Sequence, residues 1–340
     1  MKFVPYFLCT FFAIVCYVNK DVVNEYKLAE TDSVATILEQ LGDQPVRHKV
    51  DRNKKNVSAE IGRDLIFNGF SKIKGKKKAK LQSKHFVCTS CHNTKIEDPD
   101  LTVSDPQARL EYVAINDMPF LQGTTLYGAV NRTTFYNGDY YKKYGKLVDK
   151  ARNSLRESIQ LCAVECAQGR KLKAWEVESI LAYLWKNEFK ISDLNLSTSQ
   201  KLTIQNALNG KGSEANAIKL LKSNYLLGSP ATFSYPPPDR KMGAKLKGNP
   251  ENGKLIYDLG CKHCHENEVY SYFKLDDEKI TFDHLDKHFS KYTRYSTYQV
   301  VRFGTPVMNG KKSYMPQYTS ERMSDQQLED LRAYVKKRSE

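Results

Sequence analysis

The chain has 340 residues, 53 Lys and Arg against 39 Asp and Glu, and a formal net charge of +14. Forty per cent of it is hydrophobic and 11 % aromatic, which excludes a disordered chain and leaves room for two domains with their own cores. The basic excess suits acidic protein partners or a small anionic substrate.

The N-terminus reads Met1-Lys2 followed by an apolar run from Phe3 to Val18. One lysine ahead of such a run is the pattern of a secretory signal, and the run is short for a membrane-spanning helix, which needs about 20 residues. Asn19, Lys20 and Asp21 follow it without a small-x-small cleavage site. A cleaved leader, an uncleaved anchor and a lipoprotein acylated at Cys16 are therefore all open. Each carries the body of the protein across a membrane, so residues 1–20 are expected to be a signal peptide or anchor and the protein to be periplasmic. Residues 21–55 are polar and read as an N-terminal extension or tether.

A first domain is expected over 56–190. Glu60-Ile-Gly-Arg-Asp-Leu-Ile-Phe-Asn-Gly69 predicts a short amphipathic helix with Ile61, Leu65 and Ile66 on one side. The basic run Lys72–Lys80 reads as a docking patch or loop. Cys88-Thr-Ser-Cys91-His92 then matches Cys-x-x-Cys-His, the attachment motif of c-type haem. In this reading both thiols bind the haem covalently and the histidine is the proximal iron ligand. Downstream lie Met118-Pro119, the phrase Gly123-Thr-Thr-Leu-Tyr127, the pair Asn131-Arg132, and then Ile159, Cys162, Cys166, Gly169 and Arg170. Cys162 and Cys166 could form a disulfide if the turn between them is irregular, could be buried packing residues, or could supply a thiolate ligand near a cation such as Arg170. Ala174 to Trp185 has helical apolar spacing at 177, 180, 181, 184 and 185.

Residues 191–245 read as a linker, with a helix candidate from Asn206 to Lys222 and a proline-rich end at Ser234-Tyr-Pro-Pro-Pro-Asp239. A second domain is expected over 246–340. Its opening helix, Pro250 to Gly260, leads directly into Cys261-Lys-His-Cys264-His265, a second Cys-x-x-Cys-His. The two copies are 173 residues apart, far beyond the spacing of a zinc ribbon. Two covalently bound c-type haems are the expected cofactors. Met315-Pro316 follows His265 by 50 residues and is the expected sixth ligand of the second iron; Met308 and Met323 compete for that place. Ser324 with Gln327 predicts a capping box for a closing helix whose apolar stripe is Leu328, Leu331, Tyr334 and Val335. His263, a spacer inside the second motif, is expected to face solvent.

The order of short helix, haem motif, sixth-ligand loop and closing helix resembles the class I cytochrome c fold, closely over 248–338 and more loosely over 56–188. The resemblance implies a mainly all-α protein of two such domains, the first enlarged by an insertion. It places Gly253, Tyr257, Leu331 and Tyr334 at the crossing of the first and last helices, and makes Met315 the axial methionine. Ile159, Cys162 and Gly169 also resemble the thiosulfate dehydrogenase family, in which such a cysteine binds the active-site iron. That resemblance implies Cys162 as sixth ligand of the first haem, Arg170 or Arg132 steering an anion, and thiosulfate or another small sulfur anion as substrate. The first haem would then be an active site and the second an electron exit toward an acidic partner protein. A pure electron carrier and a subunit of a respiratory complex are the alternatives, and no nucleic-acid partner is expected.

Overall fold

The computed structural model describes residues 25–45, 48–71, 80–266, 270–271, 273–305 and 315–340. The leader with Cys9 and Cys16, most of the 72–80 basic run, Met308 and Tyr314 lie outside the described residues. Among the described residues the architecture is all-helical, as expected, with one isolated β-bridge between Ser33 and Lys190 and no helix long and apolar enough to cross a membrane.

Fourteen α-helices follow one another along the described residues. They are α1 Val34–Gln40, α2 Ala59–Asn68, α3 Pro106–Ile115, α4 Tyr140–Tyr144, α5 Val148–Ala151, α6 Leu155–Leu161, α7 Ala174–Leu184, α8 Thr198–Leu208, α9 Glu214–Lys222, α10 Pro250–Ile256, α11 Lys262–His265, α12 Lys279–Phe289, α13 Thr297–Phe303 and α14 Asp325–Ser339.

The two motif-bearing units share one device. Each opens on a short capped helix that crosses its closing helix at a glycine. In the first, Ser58 accepts from Ile61 N–H to start α2, and Gly69 ends it at φ +71°. A Cβ on Gly62 would stand 1.9 Å from Ser179 O of α7. In the second, Asn249 caps α10 with Pro250 at the first helical position, and Ser324 with Gln327 forms the capping box of α14. A Cβ on Gly253 would stand 2.0 Å from Asp330 O and 2.8 Å from Tyr334 Cβ. The backbones approach this closely because neither glycine carries a side chain. Gly253→Ala should therefore force the helices apart, at a cost in the range of about 1–3 kcal/mol typical of overpacking or somewhat above it. Denaturant unfolding of the variant checks this.

The units are not beads on a string. Asp105 and Pro106 start α3 inside the insertion of the first unit, with Asp105 accepting from Gln107 and Ala108 N–H. This helix then buries Leu110 and Val113, with Met118 and Phe120 beyond it, in the core of the second unit beside Tyr257, Tyr318, Leu331 and Tyr334. Gln107 and Asn252 exchange amide hydrogen bonds at 3.0 and 3.1 Å, and Phe120 N–H donates to Leu259 O at 2.9 Å. Each fully buried apolar anchor of this kind contributes about 1.5–3 kcal/mol, so the second unit's core depends on the first unit's chain. Met118 is thus a core residue and lies away from the first motif's cavity.

The tether and linker readings also need correction. Residues 25–41 pack on α8 and α9, and Val34, Ile37, Leu38 and Leu41 share a core with Ile191, Ile204, Ala217, Leu221 and Tyr225. Tyr26 N–H donates to Asn209 Oδ1 at 2.7 Å and Val34 N–H to Phe189 O at 3.0 Å. The apolar positions of the two stretches are sparse when read separately and complementary when paired. The helix expected from Asn206 to Lys222 is two helices, broken around Gly210 at φ +69°.

Candidate functional site: two neighbouring Cys-x-x-Cys-His cavities

The first motif begins on a single 3₁₀ turn, Cys88–Ser90, closed by Cys91 N–H to Cys88 O at 3.2 Å. It borders a cavity of about 220 Å³ whose wall includes Cys88, Cys91, His92, Arg132, Cys162 and Cys166. His92 Nδ1 pairs with Thr124 O at 2.7 Å. That bond makes Nδ1 the donor and leaves the Nε2 lone pair for a metal, the arrangement a haem-ligating histidine needs. Gly123 is required here, because a Cβ would stand 2.4 Å from His92 Nδ1 and Cε1. Residues 123–127 therefore form the support of the proximal histidine.

The second motif begins on the last residue of a π-helical turn, Tyr257–Cys261, and continues along α11. Its cavity of about 570 Å³ is bordered by Cys261, Cys264, His265, Met315 and Met323. His265 Nδ1 pairs with Phe273 O at 2.6 Å, repeating the His92 arrangement. Burial holds both histidines below the usual range, in the neutral form that binds iron. Thr305 Oγ1 accepts from Met315 N–H at 2.7 Å, and Thr305 N–H donates to Met315 O at 3.1 Å. Gly304 at φ +71° lets the Met315 carbonyl approach to where a Cβ would be 2.1 Å away. Met323 lies against the same cavity with its carbonyl held by Arg302 at 2.7 Å. Both methionines remain at this wall.

The cavities are neighbours. Phe86, Gln122 and Pro316 line both. Cys264 Sγ stands 3.9 Å from Ser90 O, within the first motif. His263 engages the Thr89 backbone and is partly buried rather than solvent-facing, because the two motifs meet there.

Between the units runs a buried charged network that sequence reading did not find. Arg322, ahead of α14, donates to Glu97 Oε1 at 2.7 Å, to Gly123 O at 2.9 Å and to Leu121 O at 3.2 Å. Glu97 is fully buried and also accepts from Asn93 and from Thr125 N–H. Arg109 lies over the Phe120 ring, 3.9 Å from its centroid, and donates to the carbonyls of Leu121 and Arg322. The second unit thus holds the segment that orients His92. Asp98 sits beside this network, and burial raises its carboxyl from 3.8 to about 6. A carboxyl raised on folding opposes stability while ionised, most strongly above about pH 6 and progressively less as pH falls toward 3.8. Asp98→Asn should stabilise the protein at pH 8 and lose that advantage near pH 4, as denaturant titrations at the two pH values would report.

The sequence-predicted anion residues separate. Arg132 lines the first cavity and donates to Thr125 O at 3.0 Å. Arg170 does not line it. Its guanidinium forms a two-pronged ion pair with buried Glu176 at 2.7 and 2.5 Å and donates to the carbonyls of Leu81 and Lys80. Arg170 is a brace between α7 and the segment before the first motif, and its assignment as a catalytic residue is withdrawn.

Cys162 and Cys166 both face the first cavity as free thiols, on one π-helical turn. The Cys162 thiol, with Tyr144 and Tyr136, hydrogen-bonds Cys166 and lowers it to about 6, while Cys162 is raised. Within the pair, these hydrogen bonds favour the thiolate on Cys166. Tyr144 and Tyr136 place their hydroxyls 3.6 and 3.7 Å from its sulfur. The tyrosines were visible in the sequence, but their convergence on one sulfur has no linear signature.

Residues 250–339 match the family model for cytochrome c. Neither the curated proteins nor the solved structures compared with the chain gave a match. Residues 250–339 therefore form a cytochrome c domain, which implies covalently bound c-type haem and electron transfer in the second unit. Cys261, Cys264 and His265 are the residues that would hold that haem.

Proposed function

We propose that the chain is an exported dihaem c-type cytochrome that moves electrons between two haems in adjacent cavities. The observation that carries this reading is the shared wall of Phe86, Gln122 and Pro316 between two cavities, each bordered by its own Cys-x-x-Cys-His and each with a histidine Nδ1 tied to a backbone carbonyl. Haem iron supplies one-electron transfer. The chain's part is to fix the two imidazoles, exclude bulk water from the cavity walls and hold the sites close enough for rapid exchange. Met315 would be the sixth ligand at the second site, raising its potential. The basic surface would dock an acidic redox protein. Passage across a membrane rests on the apolar leader and on the attachment chemistry.

A second reading makes the first site chemical. Cys162 and Cys166, with Arg132 elsewhere in the same wall, favour an oxidoreductase that takes a small sulfur anion such as thiosulfate. A thiolate from Cys162 or Cys166 would ligate the first iron and lower its potential, setting a downhill path to the second site. Electron paramagnetic resonance of the ferric protein tests both readings. A low-spin thiolate signal that disappears in one of the two single Cys→Ala variants is expected for the oxidoreductase. Two ordinary low-spin signals, unchanged in both variants, leave electron transfer alone; signal from a single haem removes the dihaem reading.

A further inference from the structure

A thiolate ligand would employ only one of the two cysteines, and the structure puts both at the first cavity. Cys162 and Cys166 occupy the ends of a single π-helical turn, closed by Ala167 N–H to Cys162 O at 2.8 Å. On a regular α-helix, side chains four apart stand about 5–6 Å apart at Cβ, too far for a disulfide, whose Cβ atoms lie about 3.5–4.5 Å apart. A π turn is wider and rises less per residue, so its two ends come closer. Such turns inside α-helices are concentrated at functional sites. Here the turn joins α6 to the segment leading to α7, and it is the part of that run that carries the thiols.

Neither thiol has the surroundings of an inert core cysteine. Both line the first cavity. Glu165 and Gln168, one residue before and two after Cys166, border a surface cleft of about 540 Å³ that also has Lys143, Tyr144 and Arg294 in its wall. Tyr144 belongs to both this cleft and the first cavity, and its hydroxyl is one of the two that approach Cys166. The pair therefore stands between an outside cleft with two cationic residues and the wall that holds Cys88, Cys91 and His92.

We propose that Cys162 and Cys166 are a dithiol–disulfide centre that collects two electrons from a small anionic thiol in the cleft and delivers them to the two haem sites. The inference rests on the dihaem reading above. In the first half-reaction the disulfide is reduced by exchange: two thiol molecules R–SH become R–S–S–R, and their two hydrogens appear on Cys162 and Cys166. In the second, the two S–H bonds break and one Sγ–Sγ bond forms. Two protons pass to water, and two electrons leave, one to each ferric haem iron. The sum is two thiols and two ferric irons giving one disulfide, two ferrous irons and two protons. A pair of one-electron acceptors side by side is what a two-electron donor of this kind requires.

The test uses the full holoprotein under anaerobic conditions. With both haems poised ferric, the peptide carrying Cys162 and Cys166 is expected to be two hydrogens lighter than the dithiol and to resist alkylation. Adding glutathione should return two alkylatable cysteines in that peptide and reduce both haems. Cys162→Ser and Cys166→Ser should each abolish haem reduction by glutathione while dithionite still reduces both haems. A wild-type peptide that stays doubly alkylatable with both haems ferric overturns the proposal, and this readout needs no variant to fold. Glutathione-driven reduction that persists in both variants overturns it equally. Haem content measured on the same sample separates the two claims: one haem per chain defeats the dihaem reading, whereas two haems with a permanently open dithiol defeat this inference alone.

Discussion

Arg322→Ala should destabilise the protein by about 3–5 kcal/mol, the cost of stranding one partner of a buried ion pair. The side chain is 7 % exposed and its partner Glu97 is fully buried, so water cannot take over the lost charge. Glu97 would keep Asn93 Nδ2 and Thr125 N–H, at 2.7 and 2.8 Å, which is too little for a carboxylate that has lost its cation. The effect should reach further than stability. Arg322 also holds the carbonyls of Leu121 and Gly123, and the next carbonyl, Thr124 O, fixes His92. A residue of the cytochrome c domain therefore sets the imidazole of the other motif. Guanidinium unfolding should show the loss in stability, and a haem held at the first site would change its spectrum although the motif itself is intact. Glu97→Gln combined with Arg322→Met, which removes both charges, should recover much of the stability.

Phe120→Ala should cost about 3–5 kcal/mol, the range for a fully buried phenylalanine. Phe120 is 0 % exposed in the second unit's core, stacks on Tyr318 at 6.2 Å between centroids, and carries Arg109 on its face. Tyr318 Oη also donates to Phe120 O at 3.0 Å. The side chain belongs to the first unit's insertion, yet its loss should be felt by the second unit. If the units folded independently, the variant would leave the second unit's unfolding transition unchanged. Hydrogen exchange of α10 and α14 distinguishes these outcomes.

The two expectations mark where sequence reading stopped. The motifs, the short helix before each of them and the capping box at Ser324 were legible, because each is a local pattern with a fixed spacing. The crossing of α10 and α14 at Gly253, Tyr334 and Leu331 was legible through family resemblance. The equivalent crossing at Gly62 and Ser179 repeats it, and a glycine at the same place in both opening helices was its sequence signal. The α3 crossover was not legible. Leu110 and Val113 have the i, i+3 spacing of one helix face, and nothing in that spacing says whose core it enters. The partnership of residues 25–41 with α8 and α9 was missed for the same reason, since half a core reads as a polar segment.

Arg170 shows the opposite error. Its place after the Cys162 to Gly169 pattern suggested an anion site. Glu176, six residues later and buried under the start of α7, takes both prongs of its guanidinium. A fixed offset in sequence carried no information about which way that side chain turned. Arg132, far from the cysteines in sequence, is the arginine in the wall.

The central claim is that both Cys-x-x-Cys-His cavities hold haem, side by side in one molecule. The most direct measurement is the ratio of covalently bound haem to polypeptide in the purified protein, by haemochrome absorbance against amino-acid analysis. The account predicts two per chain, falling to one when Cys88 and Cys91 are both replaced by Ser. A ratio of one in the unaltered protein would contradict it.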